Sequence, residues 1–319
     1  MLSDMTTEFP PNKAKVCQVV ANENWISEII SQTLDQAGGA AWSLRAQNGL
    51  APPDGLSQAD ALWIAPALLI ASNAWLTAWG SEPLRLPSPR ATWLAELAQV
   101  APELAGRRIV AAPAKRILGW RSLPSGLGDR PWSQLAQGRV LAFRAAQRSL
   151  PELQASLATA PPDSLIQLSS HIPDISEEWR VLLDAGRPIA ASGYCLHDPA
   201  GGRRIVSVFD GAHFDPARRA AALQAAQAAA SAGGLTSGAI DLAFTQSGPP
   251  IILEANPLWC AAPYAYGPQG MAAYLDALQS SQADPREPPY APDPWMRRSF
   301  SRRYAAFHPG ASSRQKLNR

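Results

Sequence analysis

Gly238–Pro257 reads GAIDLAFTQSGPPIILEANP, two short apolar runs on either side of a Gly-Pro-Pro turn. This is the pattern of a β-hairpin. Asp241 sits in the first run, and Glu254 and Asn256 close the second. Residues two apart on a strand share a face, so Glu254 and Asn256 point the same way. Two carboxylates and an amide oxygen on neighbouring strands form a ligand set for a hard cation such as Mg²⁺, with phosphate oxygens filling the remaining positions. The stretch therefore predicts a Mg²⁺–nucleotide site.

Upstream of the hairpin, Pro216–Ala232 is an Ala-rich stretch of strong helix propensity, stopped by Gly233-Gly234. Ser164–Ser169, Glu178–Asp184 and Arg187–Leu196 read as strands, with turns at Ala185-Gly186 and Pro199–Gly202. Ala91–Val100 and the region around 147–158 read as helices. Met271–Ser280 is a further helix.

The first part of the chain has a different texture. Val16–Ala21 is an apolar strand. Asn24 is placed to cap a helix that buries Trp25, Ile29, Ile30 and Leu34, and Gly38-Gly39 stops it. Ala40–Arg45 is a second strand, followed by a Pro/Gly/Asp loop at 51–55. Ala61–Trp79 is uncharged and close to the length of a membrane span, but Pro66, Ser72, Asn73 and Thr77 interrupt it. It reads as a buried strand over 61–65 followed by a buried helix. Strand, helix, strand, loop, strand implies a small parallel sheet.

Bulk composition agrees with a folded protein. Of 319 residues, 46% are apolar and 17% charged, enough for two domains with a sizeable core. A net charge of +2 favours no particular partner. Residues 285–319 carry seven Arg and one Lys against Glu287 and Asp293, and read as a solvated, partly disordered basic tail rather than a nucleic-acid or membrane contact. Cys17, Cys195 and Cys260 form no CxxC pair and no zinc spacing, which fits a reducing cytoplasm. The N-terminus has no apolar signal-peptide core. None of His171, His197, His213 and His308 stands at metal spacing from another. Cys260 reads as a buried, inert thiol rather than a nucleophile. Trp25, Trp42, Trp63 and Trp75 are expected in the core, and Trp259, Tyr264 and Tyr266 in a loop beside the hairpin.

The ordered set EEWRVLLDAGRPIAASGY (177–194), Ala-rich helix, IDLAF (240–244) and IILEANPLW (251–259) resembles the ATP-grasp family. The likeness covers roughly residues 105–280. It implies an α/β and α+β architecture: residues 1–15 a disordered lead, 16–88 an α/β domain of the kind that precedes the grasp fold, 89–280 an ATP-grasp domain of two subdomains with a hinge near 167–172, and 281–319 the basic tail.

It further implies ATP and Mg²⁺ as cofactors, with Asp241, Glu254 and Asn256 as metal ligands. Gln167, Leu168, Ser169 and Ser170 would offer backbone groups to adenine, Glu178 would meet the ribose, and Arg180 would bind phosphate and transition-state charge. The family's two phosphate-gripping lysines have no full counterpart, because the chain has four lysines and Lys115 alone lies in its body. Arg107, Arg108 and Lys115 form one basic cluster, and Arg144 and Arg148 in VLAFRAAQRS another; Lys115 and Arg144 are the expected phosphate contacts. The stretch 122–128 (SLPSGLG) is placed either as the loop over the phosphates or as a plain surface loop.

The implied activity is carboxylate–amine or peptide ligation through an acylphosphate, on small-molecule or peptide substrates, with homodimerisation allowed. A kinase or thioester-forming ligase on the same scaffold is one alternative. A nucleotide-binding regulatory or partner protein is the other.

Overall fold

A computed structural model describes residues 14–36, 41–49, 59–78, 80–197, 203–205, 214–246, 248–283 and 285–307, with backbone alone described at 203–205 and 302–307. The Gly38-Gly39 stop, the 51–55 loop, the Pro199–Gly202 turn, His213, His308 and most of the lead lie outside the described residues.

Three strands, β1 (Lys15–Ala21), β2 (Trp42–Asn48) and β3 (Ala61–Ile64), form a parallel sheet in the order β2-β1-β3. Helix α1 (Trp25–Gln36) buries Ile26, Ile29, Ile30 and Leu34, the i, i+3, i+4 stripe of an amphipathic helix. Trp25 is 36% exposed, because it stands at the first helical position and off that stripe. Trp42 and Trp63 are in the core as expected. Helix α2 (Pro66–Ala78) takes up the rest of the uncharged segment, and among the described residues no helix is long and apolar enough to cross a membrane.

Next come α3 (Trp93–Val100), α4 (Pro102–Ala105), β4 (Ile109–Pro113), α5 (Ala114–Leu118), β5 (Trp132–Leu135), β6 (Ala146–Gln147), α6 (Leu150–Leu157) and β7 (Leu165–Ser169). The four strands make an antiparallel sheet in the order β4-β7-β5-β6, the first lobe. Helix α6 opens on a capping box, Ser149 with Glu152, and Pro151 lies in its first turn, where a missing N–H costs nothing.

The second lobe is a five-stranded antiparallel sheet in the order β10-β9-β8-β11-β12, built from β8 (Ile175–Asp184), β9 (Arg187–His197), β10 (Arg203–Ile205), β11 (Gly238–Thr245) and β12 (Ile251–Asn256). The β8–β9 hairpin turns on Ala185 and Gly186, with φ of 48° and 73°, the conformation a tight two-residue turn requires. Helix α7 (Pro216–Gly233) is capped by Asp215, whose side chain accepts from the Ala217 N–H, and ends on left-handed Gly234. Its alanines at 222, 226 and 229 pack flat against Trp179, Val181 and Leu183 on one face of this sheet.

On the opposite face Leu182, Ala190 and Ala239 join the core of the parallel sheet, with helix α8 (Gly267–Ala283) between them. The Gln282 side chain accepts from the Leu62 N–H at 2.9 Å and donates to the Leu62 carbonyl at 2.7 Å, along the outer edge of β3. Further toward β10 and β12 the same face turns polar, and the candidate site lies there.

The basic tail expected from residue 281 onward is corrected by the structure. Helix α9 (Pro294–Phe307) buries Trp295 and Met296 among Leu135, Val140, Phe143, Ile166 and Leu168 of the first lobe. Asp293 caps it by accepting from the Trp295 N–H, and its second oxygen accepts from the Leu165 N–H. Burial of these two apolar side chains outweighs the neighbouring charge of Arg297, which is exposed.

Candidate functional site

The hairpin that opened the sequence forms as β11 and β12, and Asp241 and Glu254 are direct cross-strand partners. A register shift follows Asp241, and Arg180 of β8 stands opposite Asp241 on its other side. Three neighbouring strands thus bring Arg180, Asp241, Glu254 and Asn256 to one face. The Asn256 amide donates to Asp241 Oδ2 at 3.2 Å and to Glu254 Oε1 at 2.9 Å. Arg180 clasps Asp241 through two parallel bonds, Nε to Oδ1 at 2.6 Å and Nη2 to Oδ2 at 2.7 Å. Such a fork fixes carboxylate orientation as well as charge.

Burial pushes the Asp241 carboxyl up to about 7, against the pull of Arg180 and with the push of Glu254. Glu254 also resists burial, yet the Asn256 amide and the charge of Arg139 hold it below its ordinary range. Burial works against the charged Arg180 as well, but the Asp241 carboxylate outweighs it and holds the guanidinium firmly protonated. Asp241 is 2% exposed, whereas Glu254 and Asn256 keep an open side. An amide that donates to two carboxylates presents its oxygen to a cation after a flip of the same side chain. The all-oxygen donor set fits a hard divalent ion.

Arg139 was not among the expected residues. It is exposed on the turn between β5 and β6, and its charge reaches both Glu254 and Tyr264 from the opposite lobe. Gly138, with φ of 78°, packs on Met296, and Gln137 donates to Ser88 Oγ at 2.6 Å and to the Pro89 carbonyl at 3.1 Å, so the turn is pinned. The signal available in sequence was Gly138-Arg139 between two strand-forming runs.

The other expected cations lie elsewhere. Lys115 pairs with Asp163 at 2.7 Å on the exposed surface, at the end of the β4–β7 ladder away from Ser169. Arg144 is exposed, and its carbonyl accepts from Arg148. Arg148 donates to Ser133 Oγ at 2.7 Å and lies over the Phe143 ring, a local staple. Residues 140–145 form a turn, bridged Val140 to Phe143. Arg107 is tied to the Ala105 and Ile252 carbonyls, and burial lowers it to about 10. Loop 122–128 packs inward through Leu127 and lays Gly126 on the Arg108 side chain.

Gln167, Leu168 and Ser169 belong to β7, which has β4 on one edge and β5 on the other, and the Ser170 N–H donates to the Arg108 carbonyl. The backbone edges expected to meet adenine are occupied by neighbouring strands, and Leu168 points into the core.

Glu178 shares the polar face with Arg180 and is buried, with Tyr194 Oη donating to Oε2 at 2.6 Å and His197 Nε2 lying 2.7 Å from Oε1. Tyr194 stacks on Tyr264, with centroids 4.7 Å apart, and the Arg180 guanidinium lies 5.1 Å from the Tyr264 ring centre. Of the three loop aromatics, Tyr264 alone reaches the site. Trp259 is buried and donates to the Pro87 carbonyl, and Tyr266 is buried against Tyr274. Burial pushes the Cys260 thiol up to about 12, so it stays a thiol at neutral pH.

No protein-family model and no curated protein matches the chain. Solved structures similar to it include D-alanine–D-alanine ligase from Bacillus anthracis complexed with ATP, at 9% identity, covering 86% of this chain and 99% of that one, with a TM-score of 0.48. D-cycloserine synthetase DcsG is 16% identical over 83% of this chain and 99% of its own, with a TM-score of 0.49. The ATP-grasp ligase PsnB, complexed with minimal precursor, is 15% identical over 85% of this chain and all of its own, with a TM-score of 0.44. In fold, what this chain is similar to is the ATP-grasp ligases.

Proposed function

We propose that this chain is an ATP-dependent carboxylate–amine or peptide ligase acting on small-molecule or peptide substrates. In this reading a substrate carboxylate oxygen attacks the γ-phosphorus, ADP leaves, and an amine then attacks the acylphosphate carbon and expels inorganic phosphate. The supporting observation is the convergence of Asp241, Glu254 and Asn256 on one sheet face, with Arg139 opposite on the other lobe.

Asp241, Glu254 and Asn256 would hold Mg²⁺, which would supply neutralising charge for the phosphates. Arg180 orients Asp241 through its fork, a positioning role rather than the direct transition-state contact expected from sequence. Arg139 meets phosphate from the first lobe. Tyr264, stacked on Tyr194, keeps water from one side of the reacting atoms. The unbridged thiols of Cys17 and Cys260 suit a reducing cytoplasm.

The test is ADP and phosphate release by the full chain with Mg²⁺, ATP and pools of amino acids and short peptides, followed by mass spectrometry of the product. A dehydrated conjugate formed by the wild type and lost in Glu254→Gln supports the ligase. ATP binding lost in Glu254→Gln, with no turnover on any pool, supports the second reading, a nucleotide-binding regulatory protein. The position of Lys115 away from the cluster favours that second reading. Absence of both binding and turnover rejects the two together.

A further inference from the structure

We propose that Glu178, Cys195 and His197 form a second metal site, for a divalent d-block cation of the zinc class, distinct in chemistry from the all-oxygen set at Asp241. One carboxylate oxygen, the Cys195 sulfur and a His197 ring nitrogen lie within 4.8 Å of one another. The strand pairing explains why. Glu178 of β8 is the cross-strand partner of Cys195 on β9, and His197, two residues on, shares the face of Cys195.

A register shift follows Glu178: Trp179 pairs with Gly193, so Tyr194 and Cys195 together oppose Glu178. Such a bulge re-aims side chains at one point. Here it puts the Tyr194 hydroxyl on Glu178 Oε2 while Oε1 lies 2.7 Å from His197 Nε2.

The donor chemistry selects the ion. Thiolate and imidazole favour zinc-class cations over Mg²⁺ or Ca²⁺. Bond lengths of about 2.0–2.3 Å to nitrogen, oxygen and sulfur separate tetrahedral ligand atoms by roughly 3–4 Å, so the His197–Glu178 contact opens slightly and the sulfur closes in. On binding, the Cys195 thiol proton leaves to solvent, and His197 presents Nε2 with its own proton on Nδ1. Thiolate, carboxylate and a 2+ ion sum to zero, so the partly buried site carries no net charge. The Tyr194 hydroxyl orients the carboxylate from behind, the usual support for a metal ligand. His197 keeps an open side, where water can take the fourth position.

The test uses the full chain, stripped with chelator and dialysed against Zn²⁺ or Co²⁺; it needs neither ATP nor turnover, so it fails or succeeds independently of the ligase reading. Expected are one retained equivalent of metal and a thiolate-to-cobalt charge-transfer band. Cys195→Ser removes the band, and Tyr194→Phe weakens binding about 10-fold. Asp241→Asn leaves both band and affinity unchanged. Should Cys195→Ser not fold, as judged by its thermal melt, His197→Gln decides: a loss of about 10-fold or more supports the site, and unchanged affinity overturns it. No retained metal, or a band that survives Cys195→Ser in a folded protein, also overturns it.

Discussion

Arg180 holds Asp241 by both carboxylate oxygens, at 2.6 and 2.7 Å, and both residues are less than a tenth exposed. Removing one partner of a buried pair strands the other charge. Arg180→Met is therefore expected to cost about 3–5 kcal/mol in urea unfolding. Arg180→Lys, which keeps charge but loses the fork, is expected to fall between wild type and Met. A loss below ~1 kcal/mol for Met would show that the pair contributes no more than a surface ion pair.

Stability should also depend on pH through Asp241. Its carboxyl is raised from 3.8 to about 7 by burial, so the folded state keeps a proton that the unfolded chain has already released. Stability from this group is whole below 3.8 and lost as pH rises through about 7. Glu254, held low, works in the opposite sense: its contribution is present above its ordinary value of 4.5 and lost as pH falls below it. Between roughly pH 5 and 8 the wild type should lose ~2–4 kcal/mol relative to Asp241→Asn. Parallel curves for the two proteins would contradict the shift.

Arg139 and Lys115 separate cleanly. Arg139→Ala should weaken Mg²⁺–ATP binding about 10-fold or more, the scale of one hydrogen bond to a charged group, with no change in melting temperature because the side chain is exposed. Lys115→Ala, which removes a surface pair with Asp163, should leave ATP affinity within about twofold. Calorimetric titration of both variants reads this directly, and the reverse ranking would return the phosphate contact to Lys115.

The C-terminal helix belongs to the fold. Trp295 is 2% exposed and stacks on Phe143 with centroids 5.5 Å apart. Trp295→Ala should cost about 3–5 kcal/mol. An effect below ~1 kcal/mol by denaturant titration would return α9 to the status of a tail.

Gly138 gives a finer test of the same packing. Its φ of 78° disfavours any side chain, and an added methyl would run into Met296. Gly138→Ala should destabilise by ~1–3 kcal/mol. Adding Met296→Ala should recover the steric part and leave the backbone part. Strict additivity of the two single effects would mean that the residues do not touch.

What the sequence made legible follows its periodicities. The β11–β12 hairpin was readable because alternation and a Gly-Pro-Pro turn both marked it, and Asp241, Glu254 and Asn256 came with it. Helices α1 and α7 were readable from their apolar stripe and their alanines. Arg139 was not, because a charge on a turn follows no period and its partner lies 115 residues away. The fork between Arg180 and Asp241 needed the β8–β11 register, which pairs them across 61 residues. Helix α9 was hidden by the arginines and proline around Trp295 and Met296. The pairing of Gln167–Ser169 was not legible, because a strand's exposure depends on its neighbours, and β7 has one on each edge.

The amide of Gln282, bonded to both backbone groups of Leu62, imitates a next strand at the β3 end of the parallel sheet, where no strand pairs among the described residues. An open edge is where a second molecule adds a strand and where aggregation begins. With a side chain on both backbone groups of Leu62, the β3 edge offers a second molecule fewer groups to pair with. Substituting Gln282 by Leu would leave both Leu62 backbone groups open to another partner.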